Sequence, residues 1–299
     1  MNALLWIPAT LIAAAAQTGR NALQRRLTET LGTLGATQVR FLYGLPFALA
    51  FLALVLLATG EPLPAPSLPF LGFLLVGAAA QVLATALMLA AMRERSFAVV
   101  TALIKTEAVQ IAVFGFAVLG DRLPGTAILA ILVATLGVIL ASFRGGAGDL
   151  TRQGMRPVVL GLVAGGTFAV SAVGFRGAIL ELHATPLVGA TTALAWGLAA
   201  QTAMLLAWLV AFGRGTLVAI LRAWRASLAA GFLGAFASQF WFLGFALTAA
   251  ANVRTLALVE VLMAQAVSHR FLAQRATPRE LLGLGLIVVG VALLVVRQA

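Results

Sequence analysis

Three charged side chains sit where a sequence this apolar should tolerate none. Lys105 and Glu107 fall in the middle of a mostly apolar run from Phe97 to Gly120, and Glu260 lies at a matching depth in a later run. A charge near the centre of a bilayer costs at least ~2.5 kcal/mol on insertion scales, so such groups usually face a bundle interior or a watery cavity. A carboxylate held there can take up and release a proton, which makes Glu107 and Glu260 candidates for proton coupling. A zwitterionic solute would need a cation for its carboxylate and an acceptor for its ammonium group. Lys105, the only lysine in the chain, or Arg40 supplies the first; a glutamate, Gln81 or Gln239 supplies the second. The rest of such a pocket is apolar and aromatic, and Tyr43, Phe168, Trp196, Trp241 and Phe245 are the candidates. On a continuous helix Gln110 shares the face of Glu107 at i+3, whereas Lys105, two residues back, points largely the other way.

A structural reading of the same residues stands beside this one. The glutamates can pair with arginines or backbone groups that fix the bundle, and the stem of Lys105 can snorkel. Gln81 and Gln239 can bridge helices, an interaction averaging ~0.6 kcal/mol. Tryptophans commonly anchor at the interface, the expectation for Trp6 and Trp224 near span ends. His183 and His269 have no ligand partner near them in sequence, so no metal site is expected, and no cofactor is implied.

The elements that must position these groups follow from composition. The chain is 62% hydrophobic and 10% charged with a mean hydropathy of +1.06, far from a soluble domain in which charged residues approach about a quarter. Apolar runs of about twenty residues match the ~30 Å hydrocarbon layer, so the fold is an all-α integral membrane protein rather than a β-barrel, which would alternate every other residue. Ten transmembrane helices are expected, at roughly 3–23, 36–58, 68–91, 97–119, 125–143, 157–180, 187–212, 226–249, 253–272 and 278–297. The net charge of +11 reflects arginines in short connections and does not call for nucleic acid. The absence of cysteine removes disulfides, thiolate sites and thiol nucleophiles. The first apolar run lacks a preceding basic residue and is followed by Arg20, Arg25 and Arg26, the pattern of a retained span rather than a cleaved signal.

The chain repeats itself. A shift of 153 residues lays Glu107 on Glu260, Arg122 on Arg275 and Gly137 on Gly290 without a gap; Arg20 with Arg176 and Gln81 with Gln239 match at slightly different offsets. The polar stretch Arg144–Arg156 marks the seam, giving repeats at residues 1–149 and 150–299 of one transmembrane domain. Five helices per repeat is an odd number, so the second copy enters from the opposite side: two inverted five-helix repeats about an axis in the membrane plane. Connections 1–2, 3–4, 5–6, 7–8 and 9–10 hold most arginines, and the loop charges flip between halves, with Arg176, Glu181 and His183 assigned to the first connection of the second half. Positive-inside bias then places those connections in the cytoplasm and both termini outside. Thr277-Pro278-Arg279-Glu280 starts the last helix as a capping box. Gly161 with Gly165, and Gly283 with Gly290, offer small faces for close packing. Gly283-Leu284-Gly285 follows no strand and is read as packing, not as a nucleotide loop.

Two five-helix repeats, each with a glutamate in its fourth helix followed by a charged turn and a glycine-bearing helix, resemble the drug/metabolite transporter superfamily. The nearest branch is the ten-helix EamA-type exporters, which include YddG-like exporters of aromatic amino acids. The family's fourth and ninth helices often read Leu-Glu-Pro before a Gly-Glu-Arg-Leu turn. Here the counterparts are Thr106-Glu107-Ala108 with Gly120-Asp121-Arg122-Leu123, and Val259-Glu260-Val261 with Ala273-Gln274-Arg275-Ala276. Both prolines are missing, and the arginine bias opposes the family's usual termini-inside arrangement. The resemblance implies a secondary transporter in an inner (plasma) membrane that exports amino acids or related metabolites; a single copy of the chain, embedded in lipid, is one working form. Drug-like cations and purines are the alternative cargo. An enzyme is disfavoured by the scattered histidines and by aspartates confined to connections (Asp121, Asp149). ATP-driven transport by this chain lacks a Gly-Lys phosphate loop.

Overall fold

The computed structural model describes residues 4–94, 100, 103–142, 156–262 and 278–296, and within them every regular element is a helix. The first is α1 (Trp6–Leu42), bent at Gly32, whose φ of 70° and ψ of 175° lie outside the helical region. A residue with a Cβ would be strained at that φ. The bend replaces the loop expected between spans 3–23 and 36–58, because Gln24, Leu27, Thr28 and Leu31 remain buried on a continuing helix. After a short turn at Tyr43–Gly44 the chain resumes as α2 (Leu45–Thr59), ended by Gly60 in the left-handed region.

The succeeding elements are α3 (Leu68–Glu94), α4 (Glu107–Phe114) with a π-turn at Gly115–Leu119, α5 (Gly125–Ser142), α6 (Arg156–Glu181) and α7 (Pro186–Phe212). They are followed by α8 (Arg214–Arg222), α9 (Trp224–Leu247), α10 (Ala250–Leu256) and α11 (Pro278–Val296). Apart from the first two spans, the boundaries agree with the sequence expectation to within about three residues wherever the structure describes them. Parts of the fourth and ninth spans, the turn at residues 273–276, Thr277 and His269 lie outside the described residues. The short helix α8 was not expected. It carries an arginine at each end and apolar Leu217, Val218, Ile220 and Leu221 between them, the composition of a helix lying along an interface.

Six helical stretches among the described residues are long and apolar enough to cross a membrane, α1 and α2 counting as one. Leu54, Leu57, Leu68, Phe116 and Phe212 point outward, as lipid-facing residues do.

The packing carries the internal symmetry. The most extensive helix contacts are α3 with α6, α1 with α9, and α5 with α11. Exchanging the repeats turns the first contact into the second and leaves the third unchanged, as a two-fold axis requires. The α5–α11 seam shows it at atomic detail. A Cβ on Gly137 would lie 2.6 Å from the carbonyl oxygen of Gly283, and one on Gly290 would lie 2.7 Å from that of Ala130. Under the 153-residue shift Gly137 becomes Gly290 and Ala130 becomes Gly283, so the two contacts are one contact seen twice. Close helix approach through small residues is how apolar helices gain packing energy when the solvent is itself apolar.

Candidate functional site

The charged residues of the two repeats sit where their helices come apart. At Thr106 the α-helical ladder gives way to three-residue bonds: the Thr106 N–H donates to the Leu103 carbonyl at 3.3 Å and the Val109 N–H to the Thr106 carbonyl at 3.2 Å. In the second repeat the same tight pattern runs from Leu258 to Thr255 (3.1 Å), Glu260 to Ala257 (3.0 Å) and Val261 to Leu258 (3.1 Å). Neither break needs proline. In the first, α6 makes the room: Cβ atoms on Gly161 and Gly165 would fall 2.9 Å from Leu103 Cβ and 3.0 Å from the Ile104 carbonyl oxygen. Those glycines therefore pack closely, as their spacing suggested. Tight turns inside a helix commonly mark hinges or sites.

The break changes which way the side chains face. Lys105 and Glu107, expected on different faces, border one cavity together with Glu260. Gln110, expected beside Glu107, instead lies against α6, where a Cβ on Gly166 would meet its Oε1 at 2.7 Å. The cavity is lined by Gln17, Arg20 and Asn21 from α1, Met88 from α3, Ile104, Phe168 from α6 and Arg254 from α10, besides the three charged residues, and its volume is about 30 Å³. That space holds a water or two. A solute pocket takes ~300–1,000 Å³, so the space among the described residues is far smaller than a solute needs.

At the cavity, two ion pairs cross between the repeats. Lys105 Nζ lies 2.8 Å from Glu260 Oε2, and Arg254 Nη1 lies 3.4 Å from Glu107 Oε1. Each repeat supplies a glutamate and takes a cation from the other. Gln17 ties the pairs together: its Nε2 donates to Glu260 Oε1 at 3.4 Å, and its Oε1 accepts from Trp241 Nε1 at 3.0 Å. The guanidinium of Arg254 lies over the Trp241 ring at 4.3 Å and the Phe245 ring at 5.5 Å, a cation–π arrangement that gains strength out of water. Lys105, Glu260, Gln17, Trp241, Arg254 and Glu107 thus form one continuous network. Buried pairs of this kind cost desolvation and are weak evidence for stability, but removing one partner strands the other at ~3–5 kcal/mol.

Two more arginines lie beside them. Arg20 is 2% exposed, donates its Nε and Nη2 to Asn21 Oδ1 at 3.2 and 2.7 Å, and leaves its buried Nη1 without a partner. Arg40, also 2% exposed, donates its Nη1 to Thr85 Oγ1 at 3.1 Å, sits over the Phe41 ring and leaves Nε unpartnered. Gly234 of α9 opens the space for both, since a Cβ there would come within 3.2 Å of Arg40 and 3.5 Å of Arg20.

The remaining candidates divide. Phe168 lines the cavity, while Trp241 and Phe245 wall it through Arg254. Gln81 accepts from Gln201 at 2.8 Å and Gln239 donates to Thr191 at 2.7 Å; both bridge helices away from the cavity. Tyr43 donates its hydroxyl to the Ile220 carbonyl at 3.1 Å and so pins α8. Trp196 is 40% exposed, with its edge against Phe70, and does not reach the centre because its position on α7 faces outward. Trp6, expected at the interface, is buried in the core, whereas Trp224 is exposed beside Arg225. Arg176, counted among the loop charges, is inside α6. It makes a two-pronged pair with Asp121 at 3.2 and 3.1 Å and donates to the carbonyls of Phe245 and Thr248.

Sequence reasoning passed over Gln17, Asn21 and Arg254, and took Arg20 as a flanking charge and a repeat match to Arg176, not as a site residue. The three on α1, Gln17, Arg20 and Asn21, were legible, since with Gln24 and Thr28 they make a polar stripe at helical spacing. Arg254 offered no such pattern: it lies one residue inside the expected start of its span and reads as a border charge until its burial is seen.

The sequence model of the EamA-like transporter family matches the chain twice, over residues 4–143 and 155–296, so each match takes in one broken helix and its glutamate. The chain belongs to the EamA-like transporter family. Within the drug/metabolite transporter superfamily this makes it a multi-pass membrane transporter of small solutes rather than an enzyme. Among solved structures, one titled only "Crystal structure of protein" superimposes with a TM-score of 0.65 at 17% identity, covering 96% of this chain and 95% of its own; at that identity it speaks for the fold alone. No curated protein matches the sequence.

Proposed function

We propose that this EamA-like transporter exports amino acids or related carboxylate-bearing metabolites across the inner (plasma) membrane by alternating access at the central cavity. The observation that carries the reading is the pair of ion bridges crossing between repeats at the broken helices. Inverted-repeat transporters hold solute near the midplane at such interrupted helices and rock one repeat against the other. A solute carboxylate competes with Glu260 for Lys105, and a solute ammonium group competes with Lys105 for Glu260, so binding replaces the bridge that holds the closed state. Protonating Glu260 releases Lys105 in the same way, which couples export to a proton gradient; Glu107 is the second such site. Gln17 and Trp241 carry the change from one pair to the other. The arginine-rich connections support a cytoplasmic placement for themselves and an outside placement for both termini.

The test is uptake by liposomes containing the purified chain, with labelled amino acids and with a proton gradient imposed or collapsed. Protein-dependent flux that follows the gradient is expected. Absence of flux for every carboxylate-bearing solute overturns the substrate class, and flux indifferent to the gradient overturns proton coupling. A reporter fused to the C-terminus is expected to be active only outside the cytoplasm.

A further inference from the structure

Charge does not balance at the centre of this protein. Arg20, Arg40, Lys105 and Arg254 are each 7% exposed or less; two carboxylates at similar burial, Glu107 and Glu260, lie at the cavity, and the third buried one, Glu280, is in the first turn of α11. The chain has nine acidic residues in all. Asp149 lies outside the described residues, Asp121 is taken by Arg176, and none of the others borders the cavity. Lys105 and Arg254 have a glutamate each. Among the described residues, the direct partners of Arg20 and Arg40 are an amide, a hydroxyl and a ring face, groups that satisfy some N–H bonds and neutralise nothing. Among the described residues two positive charges are left over, Arg20 on the cavity wall and Arg40 behind it against Gly234.

Buried charge inside a membrane is costly and persists where function uses it. We infer that the solute carried through this site is a small anion of net negative charge, its two negative charges spread over carboxylates or held on one phosphate monoester. The inference rests on the transport reading above and sharpens its substrate. Arg20 is the receiving group. Its Nη1 is buried and unpartnered, it borders the cavity, and Asn21 Oδ1 fixes the rest of the guanidinium so that this edge is held in place. Arg254, which also lines the cavity, has an unpartnered Nε as well. A planar guanidinium fork matches the paired oxygens of a carboxylate or phosphate. A zwitterion adds no net charge and leaves the surplus uncompensated; a cation adds to it.

Two measurements on the full chain test this. In liposomes, uptake of labelled glutamate, malate and glycerol phosphate is compared with uptake of leucine and of a quaternary ammonium dye. In detergent, Trp241 beside Arg254 gives a fluorescence signal for binding of the same solutes. At least one anion is expected to be carried tenfold or more faster than leucine, accelerated by an interior-positive potential. Arg20→Gln should raise its KM tenfold or more, with Arg20→Lys recovering part of the loss if the neutral variant folds poorly. Glutamate or malate against glycerol phosphate separates the two oxyanion types. Leucine flux without anion flux overturns the inference and leaves the transporter reading standing. Anion binding, read from the tryptophan fluorescence, that Arg20→Gln abolishes, without flux of any solute, upholds the anion site and overturns the transport reading. Binding that Arg20→Gln leaves unchanged, or no binding and no flux of any anion, overturns the inference.

Discussion

The two glutamates occupy equivalent positions in the two repeats and are held in different ways. Glu260 has a lysine at 2.8 Å and an amide donor from Gln17, whereas Glu107 has an arginine at 3.4 Å. The partners also come from non-equivalent places: Lys105 precedes its own repeat's glutamate by two residues, and Arg254 precedes its by six. The fold repeats the carboxylates, then, but not the cations that pair with them. Their surroundings set their freedom. Arg254 lies over two aromatic rings and is a fixed wall; Lys105 is a point charge on a flexible stem and is the partner able to let go.

That contrast can be broken at either end. Arg254→Met should cost most, because it strands Glu107 in a dry site and empties the faces of Trp241 and Phe245; about 3–5 kcal/mol of stability should be lost, read as a lowered unfolding midpoint in detergent, together with transport. Next is the α5–α11 seam, where Gly137→Val and Gly290→Val should each cost about 1–3 kcal/mol through overpacking. Their symmetry predicts near-equal falls in unfolding midpoint, and a large inequality would argue against the two-fold seam. Gln17→Leu should cost about 1 kcal/mol and slow transport several-fold, because it cuts the link between the pairs while leaving each in place. Tyr43→Phe is the smallest, a loss of about 0.5–1.5 kcal/mol from one hydrogen bond to α8, with transport at the centre unchanged.

Most of the fold was legible because a bilayer leaves few options: long apolar runs become helices, and an odd-numbered repeat inverts. Glu107 and Glu260 stood out for the same reason. What the sequence hid was local geometry. Gly32 turns a predicted loop into a bend, and the unwinding at Thr106 sends Lys105 into the cavity and Gln110 out of it, neither of which helical periodicity foresees. Trp6 is buried in the apolar core and Trp196 is exposed, each against expectation, since distance from a span end does not say which face of a helix meets lipid. Arg254 shows the limit most clearly: a charge near a boundary becomes a site residue only when another helix covers it.

The central claim is that the Lys105–Glu260 bridge between repeats gives way to the solute during transport. Liposome uptake by the unaltered chain, Lys105→Met and Glu260→Gln, with folding checked by circular dichroism and gel filtration, tests it most directly. The account predicts that both variants fold and that both lose transport by tenfold or more. Normal transport by both folded variants would contradict it.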